Sequence, residues 1–285
     1  DYRYAQLGPL LEVRDASQMN PPVAQKNIAI NSALALANYE ITTALEPYAP
    51  TTSIAPTRTA RVTLIWRADA RVTDFLVRVR VYDPEGHTIA QKDEPPVRGR
   101  YAPSQWSRGE YVRDVHNIQI PGGTPPGTYQ LKLQTLDAAT KSPTSDEIAL
   151  GSFTVERATN LTREQIFIVH PLDIVLDDRV ALWGYGGFDE TRRAGETIGG
   201  NLVFLTRQDV GADLMLTFAL VDASDKIVRT WQIAPIAFYP TREWKQGEVL
   251  KAYYALRDPP IGAYTLAVGF DPQDLIQIAQ IKIAP

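Results

Sequence analysis

The chain has 285 residues, a formal net charge of −4 and no cysteine. Its length suits two domains of about 100 to 150 residues each, and the lack of cysteine excludes disulfides and thiolate-bound metals. Because there is no basic stripe and no apolar run near about 18 residues, we expect neither a nucleic-acid partner nor direct membrane insertion by this chain.

Residues 1–26 predict a lead-in to the first domain. They combine turn residues with one short apolar run, Leu10, Leu11 and Val13, so we expect a segment that packs loosely or joins the edge of a sheet. The segment lacks the basic start and apolar core of a signal peptide. The chain as a whole has 21 prolines and 18 glycines, mostly between short apolar runs, and this punctuation predicts an all-β protein.

The first strand of each half shows the same pattern of three residues. They are Leu34, Leu36 and Tyr39 in one half and Val180, Leu182 and Tyr185 in the other. A residue that tolerates positive φ, Asn38 or Gly184, directly precedes the tyrosine in both. We therefore predict a bulge or bend at the same point of the two strands.

Apolar residues with a period of two follow in both halves. They are Val62, Leu64 and Trp66, then Phe75, Val77, Val79 and Val81, matched by Leu202 and Phe204, then Leu214, Leu216, Phe218 and Leu220. Because Arg78 and Arg80 lie on the opposite face, the pattern predicts antiparallel sheets with one buried side. Each half then turns at an acidic site, 83–86 or 222–225, where we predict Asx-type hydrogen bonds. Calcium needs about six or more oxygen ligands, so a plain turn is favoured.

One long stretch occurs twice, at 101–129 and 239–264. Each copy has a Tyr and a Pro before a Trp, then Gly-Glu, a strand-like run, and a Pro-Pro pair before Gly-x-Tyr. The closing residues, Tyr129 and Tyr264, look like the tyrosine corner of immunoglobulin-like sandwiches, whose hydroxyl bonds to preceding backbone. The second copy is three residues shorter between Gly-Glu and this tyrosine, a loss that we place at the turn 121–123.

The last strands of the halves also match. Their apolar residues step by two, three and two positions: Ile148, Leu150, Phe153 and Val155, then Ile276, Ile278, Ile281 and Ile283. A single odd step changes the buried face, so we predict one inserted residue, a bulge or a crossing between sheets, in each strand.

These repeats predict the fold class and the domain boundaries. The fold is all-β, with two tandem immunoglobulin-like antiparallel β-sandwich domains. The first sandwich spans 27–157 and the second 174–285. The connection 158–173 contains the run Ile166 to Val169, which is too apolar for a floppy linker, so we expect it to be ordered.

Motifs for catalysis or cofactor binding are missing from the sequence. There is no His-Glu-x-x-His, no Gly-x-Ser-x-Gly and no Gly-rich phosphate loop, and 184–187 lacks the third glycine of a dinucleotide site. The acidic pairs 177–178 and 189–190 are neighbours that point to opposite faces of a strand, which suits solvated loop ends. We therefore predict no catalytic residue, no metal and no cofactor.

The loop aromatics are the candidate sugar-binding residues: Tyr101, Trp106, Tyr239 and Trp244. Exposed aromatic rings are the usual platforms for sugars. The same residues occupy the same position in both copies, however, which favours a packing role with each indole N–H bonded to backbone. Sugar binding requires an exposed indole beside hydrogen-bonding side chains.

Residues 81–112, VYDPEGHTIAQKDEPPVRGRYAPSQWSRGEYV, and the later PPGTYQLKLQTLD resemble the extracytoplasmic tail behind the membrane part of some bacterial glycosyltransferases. Those enzymes are similar to dolichyl-phosphate-mannose protein mannosyltransferases and use a polyprenyl-phosphate sugar donor. The second copy keeps Tyr239, Trp244, Glu248 and Tyr264 but lacks the Asp-Pro-x-Gly and Ala-Gln-x-Asp parts. The resemblance implies a domain type and no active-site residue, because that family's catalytic acids lie in the membrane portion.

The resemblance implies a non-catalytic accessory or interaction module associated with a membrane glycosyltransferase. Its place would be extracytoplasmic, at the cell surface or tethered to the membrane, and its partner a glycan or the membrane-embedded portion. A carbohydrate-binding module that uses the loop aromatics and a structural cell-surface protein without a pocket are the alternatives. A hydrolase would need a cleft with two carboxylates about 5 to 10 Å apart.

Overall fold

The computed structural model describes residues 26–43, 53–188 and 191–285, together with the backbone of Glu12 and Val13. Nearly all of the elements are β-strands in four sheets, so the all-β sandwich fold class is confirmed. The chain divides into two compact units. The first contains Asp1–Ile120 and Thr128–Thr154, and the second contains Pro121–Gly127 and Val155–Pro285.

The first sandwich has two five-stranded sheets, with the orders β1-β8-β5-β3-β2 and β4-β10-β9-β6-β7. Alternating side chains of both sheets point inward and bury the first core. The strands are β1 (Glu12–Val13), β2 (Ile28–Ala29), β3 (Leu34–Thr43), β4 (Ser53–Ile54), β5 (Thr59–Ala68), β6 (Phe75–Tyr82), β7 (Thr88–Glu94), β8 (Tyr111–Gln119), β9 (Gly127–Asp137) and β10 (Ile148–Val155).

The second sandwich has a four-stranded sheet, β11-β12-β14-β17, and a five-stranded sheet, β13-β19-β18-β15-β16. Its strands are β11 (His170–Asp177), β12 (Val180–Gly186), β13 (Arg192–Arg193), β14 (Ile198–Thr206), β15 (Leu216–Val221), β16 (Ile227–Ile233), β17 (Val249–Leu256), β18 (Gly262–Gly269) and β19 (Ile276–Ala284). The short strand β13 pairs parallel to β19, which departs from a purely antiparallel sandwich. It does so because the chain passes from β12 to the edge of the opposite sheet.

The repeat in the sequence is a repeat of strand order. The order β4-β10-β9-β6-β7 in the first sandwich equals β13-β19-β18-β15-β16 in the second, and β3-β5-β8 equals β12-β14-β17. Strands β2 and β11 also occupy the same edge of these sheets, and β1 is the one strand of the first sandwich without a counterpart among the described strands. Residues at matching positions of matching strands in the two sandwiches can therefore be compared directly.

The predicted bulges in the first strands are confirmed. The pairing of β3 with β5 shifts register between Leu36 and Asn38, and that of β12 with β14 shifts between Leu182 and Gly184. Glycine at 184 is explained by close approach, since a Cβ there would lie 2.3 Å from Ile168 Cγ2. Asn38 forms its bulge without a positive φ, so the expected reason for that residue type was wrong.

The odd step in the last strands is confirmed as well. The pairing of β18 with β19 shifts register so that Ile278 becomes the extra residue. In β10, Gly151 and Ser152 are both exposed between buried Leu150 and Phe153, which is the same change of face. The loop that shortens between the copies spans 120–126 in one and 257–261 in the other, so two of the three missing residues are lost from the loop and the third from the strand before it.

The predicted turns form as Asx-type turns. Asp83 Oδ1 accepts the backbone N–H groups of Glu85 and His87 at 2.9 and 2.8 Å. Asp222 Oδ1 accepts those of Ser224 and Lys226 at 2.8 and 3.1 Å. Two turns of different sequence thus share one hydrogen-bond pattern.

The closing tyrosines begin their strands as expected. Tyr264 Oη donates to the carbonyl of Ile261 at 2.8 Å, which confirms a tyrosine corner in the second sandwich. Tyr129 is fully buried and its ring stacks on Phe153 with centroids 6.3 Å apart. The hydroxyl bond predicted for Tyr129 stays a prediction.

The predicted domain boundaries, 27–157 and 174–285, stay a prediction, and the compact units divide the chain at other points. The second unit begins at Val155, and β11 begins at His170 inside the predicted linker, which also forms a 3-10 turn at Arg163–Gln165. In the predicted lead-in, Glu12 and Val13 pair with Val112 and Tyr111 at the edge of a sheet. The rest of residues 1–25, with Leu10 and Leu11, and the pair 189–190 lie outside the described residues.

Candidate functional site

The four loop aromatics belong to a repeated structural corner. Short 3-10 turns at Pro103–Gln105 and Thr241–Glu243 directly precede the two tryptophans. Trp106 is 4% exposed and Trp244 is 0% exposed, and their Nε1 atoms donate to the carbonyls of Tyr101 and Tyr239 at 3.2 and 3.0 Å. A ring buried in this way offers no face to a sugar, so the packing role predicted for the indoles is confirmed.

The tyrosine hydroxyls of this corner meet the glutamates of the Gly-Glu pair. Tyr101 Oη lies 3.0 Å from Glu110 Oε2, and Tyr239 Oη lies 3.0 Å from Glu248 Oε1. Both carboxylates are buried, and each also accepts a backbone N–H three residues earlier. These glutamates were not predicted to have a role, although their repetition at one spacing in both copies was a signal for one.

Arg157 distinguishes the second corner from the first. Its Nε lies 3.1 Å from Glu248 Oε1, and its Nη2 donates to Tyr239 Oη at 2.9 Å. Burial raises the pKa of Glu248 despite this partner, and burial together with the Glu248 charge raises the pKa of Tyr239. Within the described part of the chain, Glu110 Oε1 has no hydrogen-bond partner.

A polar groove lies elsewhere, on the outward face of the sheet β4-β10-β9-β6-β7. Cross-strand pairs order this face, because Arg78 forms two hydrogen bonds to Asp93 at 2.8 and 2.6 Å and Arg80 binds Gln91 at 2.7 Å. The groove has a volume of about 440 Å³. It is lined by Tyr82, Asp83, Pro84, Gly86, Thr128, Gln130, Lys132 and Ser152.

Glu147 holds the charged side chains beside the groove. It accepts from Tyr82 Oη at 2.5 Å and from Arg80 Nη1 at 2.7 Å, and Lys132 Nζ lies 3.5 Å from its other oxygen. Burial would raise the pKa of Glu147, but the hydrogen bonds from Tyr82 and Arg80 outweigh it and lower the pKa. Lys132 Nζ also lies 4.7 Å from the centre of the Tyr82 ring. The Tyr82 ring, the Lys132 ammonium and the Gln130 amide therefore line one groove.

The second sandwich lacks this polar set at the matched positions. In the first, Tyr82 is paired with Gln130, whereas in the second Val221 is paired with Thr265. Lys132 corresponds to Ala267. The alternation that predicts Arg78 and Arg80 on the outward face extends to Tyr82, and its replacement by Val221 in the second copy was the missed signal of a site.

The turn at the rim of the groove holds a group of possible metal ligands. Ligand atoms of Asp83, Glu85 and His87 all lie within 4.8 Å of one another. Asp83 Oδ1 already accepts two backbone N–H groups, and its Oδ2 lies 3.1 Å from His87 Nδ1. Because three side chains fall short of the oxygen set that calcium requires, we assign no metal to the turn.

The groove also bears on the hydrolase alternative. Its lining includes a single carboxylate, Asp83, whereas glycoside hydrolysis uses a pair of carboxylates flanking the scissile bond.

Among the described residues, no helix has the length and apolar character needed to cross a membrane.

No protein-family model and no curated protein matches the chain. Solved structures of low similarity include a Niemann-Pick type C2 protein from Japanese carpenter ant, with 6% identity over 47% of this chain and 100% of that chain and a TM-score of 0.32. A calcium-binding mutant of β-glucuronidase 2 from Bacteroides uniformis has 14% identity over 49% of this chain and a TM-score of 0.28. A Salmonella α-2-macroglobulin mutant has 12% identity over 95% of this chain and a TM-score of 0.24.

The chain spans 17% of the length of the β-glucuronidase and 16% of the α-2-macroglobulin. Similarity this low indicates neither a family nor a function.

Proposed function

We propose that this chain is a non-catalytic, extracytoplasmic interaction module that works with a membrane glycosyltransferase and engages a glycan or protein through the groove of its first sandwich. The observation that supports this function is the outward-facing groove with Tyr82, Gln130 and Lys132. The fold does not require these side chains, because the second sandwich has the same strand order without them. Binding is therefore the role that we assign to them.

The residues that carry the glycosyltransferase resemblance have structural roles. Asp83 closes the turn between β6 and β7, and Tyr101, Trp106 and Glu110 form the buried corner. This supports the interpretation of the motif as the mark of a domain type. The extracytoplasmic location and the glycosyltransferase partner rest on the resemblance alone.

The test is transfer of sugar from a polyprenyl-phosphate donor by membranes of cells that make the protein. Membranes lacking this chain should transfer less, and the wild-type chain should restore transfer. The double variant Gln130→Ala/Lys132→Ala should restore it poorly, because the groove loses two hydrogen-bonding groups. The matched control is Thr265→Ala, at the second-sandwich position that corresponds to Gln130. Equal transfer with and without the chain, or transfer by the purified chain alone, would contradict the proposal.

A carbohydrate-binding module is the second candidate, through the groove rather than the loop aromatics. The half-buried Tyr82 ring has Gln130, Lys132 and Ser152 around it, which combines an aromatic surface with hydrogen-bonding groups. A glycan array followed by titration calorimetry should identify a ligand whose affinity falls about tenfold in the double variant, the worth of one or two hydrogen bonds. Trp106→Phe is the control and should leave affinity unchanged. A wild-type chain that binds no glycan would remove this candidate.

A further inference from the structure

Two matched edge strands, β7 in the first sandwich and β16 in the second, differ in their chemistry. β7 ends with the charged run Lys92, Asp93 and Glu94, whereas β16 reads IVRTWQI with Arg229 as its one charge. Ile227 is 46% exposed and Val228 is 39% exposed, and Val228 is the extra residue of a bulge in the pairing of β16 with β15. Charged side chains are a usual device that keeps an edge strand from pairing with another chain, and β16 lacks most of them.

β16 is paired on one side. In the described part of the chain its ladder partner is β15, and it stands at the end of the sheet order. All four residues 227–230 are exposed. The free side therefore offers backbone N–H and C=O groups to an added strand.

The sequence of β16 complements itself in the antiparallel direction. With Thr230 at the centre, Ile227 faces Ile233, Val228 faces Gln232, and Arg229 faces Trp231 of a second copy. Residues directly opposite each other share one face of a sheet. Within one chain the Arg229 guanidinium already lies 5.6 Å from the Trp231 ring centre, which shows that the two side chains share a face. Centring on Thr230 pairs the regular stretch 229–231 with itself and leaves the bulged Val228 toward the end of the contact.

We propose that β16 is a dimerisation strand, through which two copies of this chain pair edge to edge in antiparallel orientation with Thr230 on the two-fold axis. The contact is isologous, since each copy presents the same strand to the other. It joins the two β13-β19-β18-β15-β16 sheets into one continuous sheet. It places an isoleucine pair at both ends and a cation–π contact on each side of the axis.

Analytical ultracentrifugation of the complete chain tests the dimer. The wild-type chain should show a concentration-dependent dimer, and Thr230→Lys should raise its Kd at least about tenfold because two ammonium groups would face each other. The matched control is Gln91→Lys. Gln91 in β7 is paired with Arg80 of β6, just as Thr230 in β16 is paired with Ala219 of β15. A wild-type chain that stays monomeric at about 1 mM, or a Thr230→Lys chain that dimerises like the wild type, would overturn the proposal.

Disulfide trapping tests the register and does not depend on the folding of the lysine variant. The chain contains no cysteine, so one introduced thiol can form a disulfide only with the same thiol of a second copy. Under oxidation Thr230→Cys should give a covalent dimer, whereas Val228→Cys, which faces Gln232, and Gln91→Cys should not. Equal crosslinking of Val228→Cys and Thr230→Cys would contradict the pairing centred on Thr230.

Discussion

The two sandwiches share a strand order but fill one region of their cores with different chemistry. In the first, Trp66 Nε1 donates to Asp114 Oδ2 at 3.1 Å, and His116 Nε2 lies 2.6 Å from the same oxygen. Asp114 Oδ1 accepts the backbone N–H of Val97 at 2.8 Å. All three side chains are buried, so this core contains a charged network.

The second sandwich has Phe204, Ala252 and Tyr254 at the matched positions. The Phe204 ring has no polar atom and lies 5.6 Å from the Trp244 ring centre. Tyr254 Oη donates to the carbonyl of Pro235 at 2.8 Å. A buried indole N–H needs a hydrogen-bond acceptor, and a charged acceptor in the core needs further hydrogen-bond or ionic partners, so one tryptophan accounts for the difference between the cores.

His116 has a second acidic neighbour, which comes from the opposite sheet. Glu94 in β7 has its Oε2 3.4 Å from His116 Nδ1 and its Oε1 2.7 Å from Lys92 Nζ. Burial lowers the pKa of His116, but Asp114 and Glu94 outweigh it and raise the pKa to about 9. The contact with His116, opposed by burial and helped by Lys92, lowers the pKa of Glu94 to about 2. His116 is therefore charged at neutral pH and links the two sheets.

The largest expected effect comes from removing the acceptor of this network. Asp114→Ala should destabilise the first sandwich by about 3 to 5 kcal/mol, because it leaves a buried histidinium and two N–H groups without their partner. Urea unfolding followed by fluorescence measures the loss. The triple variant Trp66→Phe/Asp114→Ala/His116→Tyr installs the residues of the second sandwich and should recover part of it, because it removes the histidinium and the indole N–H but leaves the Val97 N–H without an acceptor. A loss below about 1 kcal/mol for Asp114→Ala would remove the contrast between the cores.

The next effect is a pH dependence confined to the first sandwich. Because the folded pKa of His116 is raised above its ordinary 6.5 to about 9, its contribution is complete below pH 6.5 and is lost as the pH rises through 9. The loss should amount to at most about 3 kcal/mol. Unfolding at a series of pH values checks it, with the triple variant as control. A wild-type stability as flat as that of the variant over this range would refute the charged state of His116.

A smaller effect separates the two buried corners at which Tyr101 meets Glu110 and Tyr239 meets Glu248. Tyr239→Phe should cost about 2 kcal/mol, since its hydroxyl bonds to buried Glu248 and Arg157. Tyr101→Phe should cost about 1 kcal/mol, because Tyr101 is partly exposed and water can replace its hydroxyl. Thermal unfolding of both variants sharpens the comparison. Equal shifts would mean that Arg157 adds nothing to the second corner.

The smallest effect is expected at the closing tyrosines. Tyr264→Phe removes a partly exposed bond to the Ile261 carbonyl and should cost about 1 kcal/mol or less. Tyr129→Phe, in a fully buried position, should cost about 1 kcal/mol or more. Unfolding midpoints measure both, and unchanged values for the pair would argue against tyrosine corners.

Local features of the fold were predictable because they depend on short stretches of chain. The bulges before Tyr39 and Tyr185, the Asx turns at Asp83 and Asp222 and the shortened loop all follow from residue spacing. The burial of the loop tryptophans was the favoured of two interpretations. Position in a loop does not decide the exposure of a ring, whereas its repetition in both copies indicated a role in the fold.

By itself the sequence determined that the chain repeats, that it is all-β and where most strands and turns lie, because alternation and turn chemistry act over a few residues. Only the tertiary structure decided which distant side chains meet. It brought Glu94 of β7 to His116 of β8, Arg157 to Glu248, and Tyr82 to Glu147. Such contacts depend on strand register and on the packing of one sheet over another, and neither has a fixed spacing in the sequence.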